Sequence, residues 1–352
     1  MTDWIEKPLA EVAKALRVGR VSAAALLDEA RACHARWDGR LGPYKTWDED
    51  GARARARAAD AAFQAGVDLG PLQGIPVSVK DLFALAGLPT YAGSPRRLPP
   101  AWERAGPVMV TLCRQMAVVT GKTHMVEFAF GGLGVNGHWG TPRNPWDATV
   151  HRVPGGSSSG AGVSLVEGSA LLAFGSDTAG SVRIPASMAG NAGLKISHGR
   201  WSLDGIVPLS PAFDTPGLLA RTVADLAHAF HALDPACRER GQGPLAPPAD
   251  FAGLRVGRVE GYFWDGCSAG VAEADAYRRA NMLALRNTGA ANWLDLCALT
   301  LPVGRDRAGL PVGLQLMAPK GADERLLTIG LAVEAALGTG RERLGAPPLG
   351  GL

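Results

Sequence analysis

The stretch Pro154–Ser187, PGGSSSGAGVSLVEGSALLAFGSDTAGSVRIPAS, decides the fold of this chain. It contains two loops of small residues, 155–160 and 177–181, around a helical and a strand-like segment. Residues 161–170 have the pattern of a short helix, and residues 170–175 have that of a buried strand. Glycine is typical of places where a backbone approaches another group closely. We therefore expect both loops to meet at one edge of a sheet, where α/β proteins place their sites.

Helical and strand-like patterns alternate along the rest of the chain. Residues 8–66 contain several helices by their apolar spacing, and residues 220–233, 271–287 and 323–337 contain one helix each. A further helix is predicted at 107–116, and strands are predicted at 77–79, 117–120, 254–259, 298–303 and 312–317. This alternation predicts an α/β fold with a mixed, mostly parallel central sheet flanked by helices.

The length of 352 residues suits one large domain or two moderate ones, and we expect a single domain over residues 1–352. Its predicted parts are an N-terminal helical segment at 5–66, a core at 67–233, a variable segment at 234–270, and a C-terminal helix with strands at 271–340. Within the variable segment, the composition of residues 234–250 is that of a linker.

Composition and charge exclude several classes of function. The chain is 47% hydrophobic and 20% charged, which is ordinary for a globular protein, and its formal net charge is +3. Arginines and acids are interspersed, so we expect no nucleic-acid partner. No apolar run reaches the length of a membrane span, and the acidic N-terminus is unlike a signal peptide. Five widely spaced cysteines indicate a reduced compartment without a metal site, so a cytoplasmic location is expected.

The Gly/Ser-rich loops permit four interpretations. The simplest is a structural loop. A phosphate cradle is a second, but the lysine motif is missing there, and Gly121-Lys122-Thr123 lacks the required earlier glycine because Met116 occupies that position. A third is a nucleophile elbow, since residues 156–160 match G-x-S-x-G. That elbow would need a preceding strand and an acid–histidine pair, for which Asp225 with His228 or His231 could serve.

The fourth interpretation is a serine nucleophile that is activated by a lysine. Lys80 ends the predicted strand at 77–79, beside Asp81. A lysine base must be neutral, so its pKa must lie about three pH units below its ordinary value of about 10.4. Burial beside neutral hydroxyl groups can lower the pKa in this way. Because a facing carboxylate would oppose that change, we expect Asp81 to point away from Lys80.

Several motifs then resemble the amidase signature family. They are Gly74-Ile-Pro-Val-Ser-Val-Lys80-Asp81, Pro154-Gly-Gly-Ser157-Ser158, the run GSDTAGSVRIPA at 175–186, and GLPVGLQL at 309–316. The resemblance extends from about residue 5 to residue 335, and the motifs occur in the family's order and spacing. It implies the amidase signature fold. The chain is shorter than most members, and the missing sequence falls after Leu233, so the fold is expected to be shortened in its C-terminal half.

The resemblance also implies a Ser-cisSer-Lys catalytic triad. The two serines of that triad lie 24 positions apart in the family, which selects Ser157 and Ser181 here. By resemblance, Ser181 is the nucleophile, Ser157 relays the proton through a residue with a cis peptide bond, and Lys80 is the base. The backbone N–H groups expected to form the oxyanion hole are those of Thr178, Ala179, Gly180 and Ser181. Asp177 and Arg183 are expected to brace that loop.

The implied function is an amidohydrolase that cleaves a small carboxamide or an aryl or alkyl amide through an acyl-enzyme. A small amide is thus the expected partner, with no cofactor, no metal, no membrane and no nucleic acid, and a homodimer stays open. The apolar segment with Met125, Ala129, Phe130 and Gly131 is expected to form a pocket wall. Two alternatives remain: a partner-dependent glutaminase resembling the glutaminase component of the transamidosome, or an inactive shortened relic.

Overall fold

The computed structural model describes residues 3–241, 244–248, 253–258 and 274–351. Within these residues, eight strands form one sheet in the order β1-β3-β2-β4-β6-β5-β7-β8. The strands are β1 (Tyr44–Trp47), β2 (Pro76–Lys80), β3 (Val118–Thr123), β4 (Leu172–Asp177), β5 (Ala192–Lys195), β6 (Thr215–Ala220), β7 (Cys297–Arg305) and β8 (Pro311–Ala318).

The fold is α/β with a mixed sheet, as predicted, but the sheet is mostly antiparallel. Strand β2 is parallel to both β3 and β4, whereas the other five pairings are antiparallel. The prediction of a mostly parallel sheet was therefore wrong. It failed because β1, β5 and β6 were not recognised, and each of them enters the sheet antiparallel to its neighbours.

Helices cover the sheet. They are α1 (Leu9–Arg17), α2 (Ala23–Leu41), α3 (Glu49–Gln64), α4 (Pro107–Arg114), α5 (Ser159–Glu167), α6 (Arg183–Ala189), α7 (Val223–Leu233), α8 (Pro235–Arg240), α9 (Ala274–Trp293), α10 (Asp323–Leu337) and α11 (Gly340–Leu344). Local capping chemistry sets several of their ends. Ser22 accepts the Ala25 N–H at the start of α2, and Thr222 accepts the Asp225 N–H at the start of α7. None of the helices in the described residues is long and apolar enough to cross a membrane.

Two sequence predictions in the C-terminal half need correction. Residues 254–258 form no strand, while Val259 lies outside the described residues. The expected linker contains a helix, α8, because Pro235 suits a first helical position and Asp234 accepts the Cys237 N–H. The predicted helix at 271–287 is present as α9 from Ala274 onward, and residues 271–273 lie outside the description. The expected shortening does not reach the sheet, because residues 297–344 supply two strands and two helices.

The central strands position the catalytic candidates. Val77 of β2 pairs with Leu172 of β4, and the two strands run parallel, so their carboxyl ends emerge at the same edge of the sheet. Both strands are buried along their whole length. The fully buried Phe174 packs edge-to-face against Phe83 at a centroid distance of 6.1 Å. Burial of such a ring contributes about 1.5–3 kcal/mol, which fixes this edge of the sheet firmly.

Candidate active site

The two Gly/Ser-rich loops are in contact, as expected. One loop follows β4, and the other leads into α5. The Ser158 N–H donates to the Ser181 carbonyl at 3.3 Å, and the Ser158 hydroxyl lies 3.5 Å from the Ser176 carbonyl. Ser157 and Ser181 are both buried. The sheet edge therefore gathers hydroxyl groups from residues distant in sequence.

Lys80 joins these hydroxyl groups from the end of β2. Its side-chain nitrogen Nζ lies 2.7 Å from the Ser157 Oγ and 2.9 Å from the Ser176 Oγ. The side chain is fully buried. This arrangement follows from the parallel pairing of β2 with β4, which brings Lys80 and Ser176 to the same edge.

The environment of Lys80 favours the neutral amine. Burial lowers the pKa of Lys80 to about 7, although the negative charges of Asp177 and Asp214 oppose that change. The two nearest partners of Nζ are hydroxyl groups, which can accept from an ammonium ion or donate to a neutral amine. Lys80 can therefore exchange a proton near neutral pH.

Asp81 faces away from Lys80 and pairs with another lysine. Its Oδ1 lies 3.0 Å from Lys122 Nζ, and its Oδ2 accepts the Tyr91 N–H at 3.2 Å. Successive residues of an extended chain point to opposite sides, which explains why Lys80 and Asp81 have different partners. Lys122 is itself fully buried in this pair, so the Gly121-Lys122-Thr123 sequence has a structural explanation.

The backbone around Ser157 is held on both sides. The peptide bond between Gly156 and Ser157 is cis. The Gly156 N–H donates to the Gly132 carbonyl at 2.8 Å, and the Ser157 carbonyl accepts the Val126 N–H at 3.1 Å. A Cβ on Gly156 would lie 2.6 Å from the Gly134 nitrogen, so this position requires glycine. The segment 126–134 therefore determines where Ser157 lies.

An ionised carboxylate organises the loop that carries Ser181. The two oxygens of Asp177 accept the Gly180 N–H at 2.8 Å and the Val182 N–H at 3.1 Å. The same carboxylate forms a fully buried, bidentate ion pair with Arg183. Burial raises the pKa of Asp177, but the charge and hydrogen bonds of Arg183 outweigh burial and hold the pKa at about 2. Asp177 thus stays charged and keeps the loop in one conformation.

Further residues support this loop that the sequence did not indicate. Ser176 contacts Lys80, and Asp214 accepts from the Thr178 hydroxyl at 2.5 Å. Asn292 of α9 donates to the Asp177 carbonyl at 3.1 Å. A strand neighbouring Lys80 was a usable signal for Ser176. Asp214 and Asn292 come from distant segments, and no local pattern marks them.

The histidine-dependent elbow lacks its structural requirements. Residues 148–158 contain no strand, whereas an elbow follows one directly. Asp225 accepts the Leu9 N–H at 2.6 Å, and His228 lies 3.5 Å from the Pro71 carbonyl. These contacts join α7 to the start of α1 and to the segment before β2. They leave the serine loops with Lys80 as their basic neighbour.

The expected pocket wall is divided by the structure. Phe130 is 81% exposed and lines a cavity of about 400 Å³, whereas Met125, Ala129 and Gly131 are buried. The wall of that cavity consists of Val126, Glu127, Phe128, Phe130, Val135, Asn136, Gly137 and His138. Its first residue donates to the Ser157 carbonyl, so the cavity adjoins the Ser157 loop. A larger open cleft of about 740 Å³ surrounds His228, and none of the catalytic serines lines it.

One group of side chains has the composition of a metal site. Ligand atoms of His34, Asp38 and Glu167 all lie within 4.8 Å of one another. His34 Nδ1 is 3.3 Å from both oxygens of Glu167, and its ring stacks on Trp47 at 4.1 Å. The buried carboxylate is thus already satisfied by the imidazole, and the cluster is explained as a structural pair.

Comparisons with known proteins identify the family. The Amidase family model matches residues 32–276. The chain is 43% identical to 2-amino-5-chloromuconic acid deaminase of Comamonas testosteroni over 458 positions, which cover 97% of this chain and 98% of the deaminase. Those 458 positions exceed the 352 residues of this chain by 106, so the deaminase has residues without a counterpart here.

Two further relatives agree with that assignment. One is the glutaminase component of the Glutamyl-tRNA(Gln) amidotransferase of Salinispora arenicola (strain CNS-205), which is 37% identical over 78% of this chain but only 58% of its own length. The other is a crystal structure of an amidase, which superimposes with a TM-score of 0.75 at 27% identity and covers 94% of this chain and all of its own. The chain therefore belongs to the amidase family, and it is an enzyme that hydrolyses carbon–nitrogen bonds.

Proposed function

We propose that Ser181 attacks the carbonyl carbon of a small carboxamide or of an aryl or alkyl amide. Ser157 accepts the proton of the Ser181 hydroxyl and passes its own proton to the neutral amine of Lys80. The tetrahedral intermediate then collapses to an acyl-enzyme, and the amine or ammonia leaves with the proton returned through Ser157. Water repeats the same steps to release the acid. The observation that carries this proposal is the buried contact of 2.7 Å between Lys80 and Ser157.

The proposed oxyanion hole uses backbone N–H groups of the loop after β4. Fixed backbone donors suit this role because they are oriented before negative charge develops. The Gly180 N–H is directed at the Asp177 carboxylate at 2.8 Å, so it is already occupied. We therefore assign the oxyanion contacts to the amides of the remaining loop residues, Thr178, Ala179 and Ser181.

A small substrate that loses ammonia or an amine is supported by the relative that is similar over almost its full length. The name of that relative, 2-amino-5-chloromuconic acid deaminase, describes the removal of an amino group from a small acid. The alternative of a partner-dependent glutaminase has weaker support, because similarity covers 58% of the amidotransferase chain. Ammonia release by the purified single chain would separate the two. Turnover of small carboxamides or amino-substituted unsaturated acids supports our proposal, and turnover of glutamine only with a second protein contradicts it.

Activity should increase with pH through the titration of Lys80. Below about pH 7 the amine is protonated and cannot accept the proton from Ser157, whereas above that value it is neutral. We therefore expect kcat/KM for a neutral amide to increase about tenfold per pH unit below pH 7 and to level off above it. A profile that stays flat across this range, or that falls as pH rises, would show that another group supplies the base.

The three consecutive serines should differ sharply in their contribution. Ser157→Ala removes the hydroxyl 2.7 Å from Lys80, so kcat should fall about 10²–10⁴-fold. Ser159→Ala is the matched control, because the buried Ser159 Oγ has no hydrogen-bond partner among the described residues. The control should retain nearly full activity. Kinetic constants for both variants decide the matter, and equal losses at the two positions would mean that the loop is structural.

A further inference from the structure

Thr288 of α9 contacts the loop that carries Ser181. Its hydroxyl oxygen lies 2.6 Å from the Ala179 carbonyl oxygen. The carbonyl oxygens of Ala284 and Leu285 in its own helix are both more distant, at 3.3 Å. A hydroxyl group has one proton to donate, and the shortest contact assigns that proton to Ala179.

The peptide group between Ala179 and Gly180 is consequently held at both ends. Its carbonyl accepts from Thr288, and its N–H donates to Asp177 at 2.8 Å. Because a peptide group is planar, two such contacts on opposite sides fix the orientation of the whole plane. Gly180 has a φ of +130°, and a Cβ there would lie 2.0 Å from the Thr288 hydroxyl oxygen. Glycine is thus required for this close approach.

Helix α9 is anchored where Thr288 projects from it. Arg183 donates from Nη1 to the Thr288 carbonyl and from Nη2 to the Asn292 side-chain oxygen, both at 2.7 Å. Asn292 in turn donates to the Asp177 carbonyl at 3.1 Å. The helix is therefore joined to the buried Asp177–Arg183 ion pair one turn beyond Thr288. This leaves the Thr288 hydroxyl in a fixed position relative to the loop.

We propose that Thr288 is a positioning residue for the oxyanion hole. Its hydroxyl orients the Ala179–Gly180 peptide so that the neighbouring amides of Ala179 and Ser181 face the developing oxyanion. This inference rests on the proposed function, and Thr288 itself touches no reacting atom. The hydroxyl should therefore stabilise the transition state and not the bound substrate, so its loss should lower kcat and leave KM nearly unchanged.

The test compares Thr288→Val, which keeps the side-chain shape without the hydroxyl, with Thr288→Ser, which keeps the hydroxyl. Removal of one direct oxyanion donor typically costs about 10²–10³-fold in kcat, so loss of a positioning contact should cost about 10–100-fold. We expect that loss for Thr288→Val, with KM changed by less than about threefold, and recovery to within about threefold of native kcat for Thr288→Ser. Thr328→Val is the matched control, since its hydroxyl is exposed and donates to Arg325 of its own helix, α10.

Several results would overturn the inference. They are a native kcat for Thr288→Val, an increase in KM without a decrease in kcat, or a Thr288→Ser variant no better than Thr288→Val. If Thr288→Val does not fold, Thr288→Ser and Thr288→Ala provide the same comparison, and equal kcat values for those two would refute it. Ser181→Ala separates this inference from the proposed function. Activity in Ser181→Ala refutes the mechanism, whereas an inactive Ser181→Ala beside a fully active Thr288→Val refutes the role of Thr288 alone.

Discussion

Replacement of Lys80 by methionine is expected to lower kcat about 10³–10⁴-fold. Methionine has a similar length and fills the same buried space, but it has no amine to receive a proton. Lys80 is fully buried, and its Nζ contacts the hydroxyls of Ser157 and Ser176. Steady-state kinetics with a simple amide, together with thermal unfolding to verify the fold, measures the effect.

The matched control for this prediction is Lys320→Met. Lys320 is about half exposed and forms a surface ion pair with Asp295 at 2.7 Å. Such pairs contribute little to stability, so this variant should keep its activity. If Lys80→Met kept substantial activity while a histidine substitution such as His228→Ala abolished it in folded protein, the base would be a histidine and the lysine mechanism would be wrong.

Ser181→Ala should produce the largest loss, about 10⁵–10⁶-fold in kcat, as expected when a covalent nucleophile is removed. The substitution deletes one buried oxygen and leaves the loop's own contacts in place, because Asp177 binds the backbone on both sides of Ser181. The folded structure should therefore persist. Ser187→Ala in α6 makes the same chemical change six residues later and should have little effect. Comparable losses in both variants would indicate damage to α6 rather than loss of a nucleophile.

The sequence predicted the catalytic candidates better than it predicted the sheet. Motif spacing selected Lys80, Ser157 and Ser181, and the structure places Lys80 in contact with Ser157. By contrast, β6 has the sequence TPGLLA, in which proline and glycine are typical of a turn. It is a strand because β4 and β5 pair with it on both sides and bury it completely. Pairing of this kind depends on distant residues and overrides local preference.

The supporting residues were unpredictable for a related reason. Thr288 and Asn292 are more than 100 positions from the loop that they contact, and nothing in the helical pattern of α9 distinguishes them from other polar residues. Ser22, Thr222 and the helix at 323–337 were predictable because their signals are contained within one turn or one helix. Local chemistry is therefore legible in the sequence, whereas contacts between distant segments need the structure.

Covalent labelling with a serine-directed phosphonate tests the central claim most directly. No lysine or arginine lies between Arg152 and Arg183, so a tryptic digest leaves Ser157 and Ser181 on one peptide, and a chymotryptic cut after Phe174 separates them. The account predicts one adduct per chain on Ser181, absent in Ser181→Ala and formed far more slowly in Lys80→Met. An adduct on Ser157 or Ser158, or labelling that persists in Ser181→Ala, would contradict it.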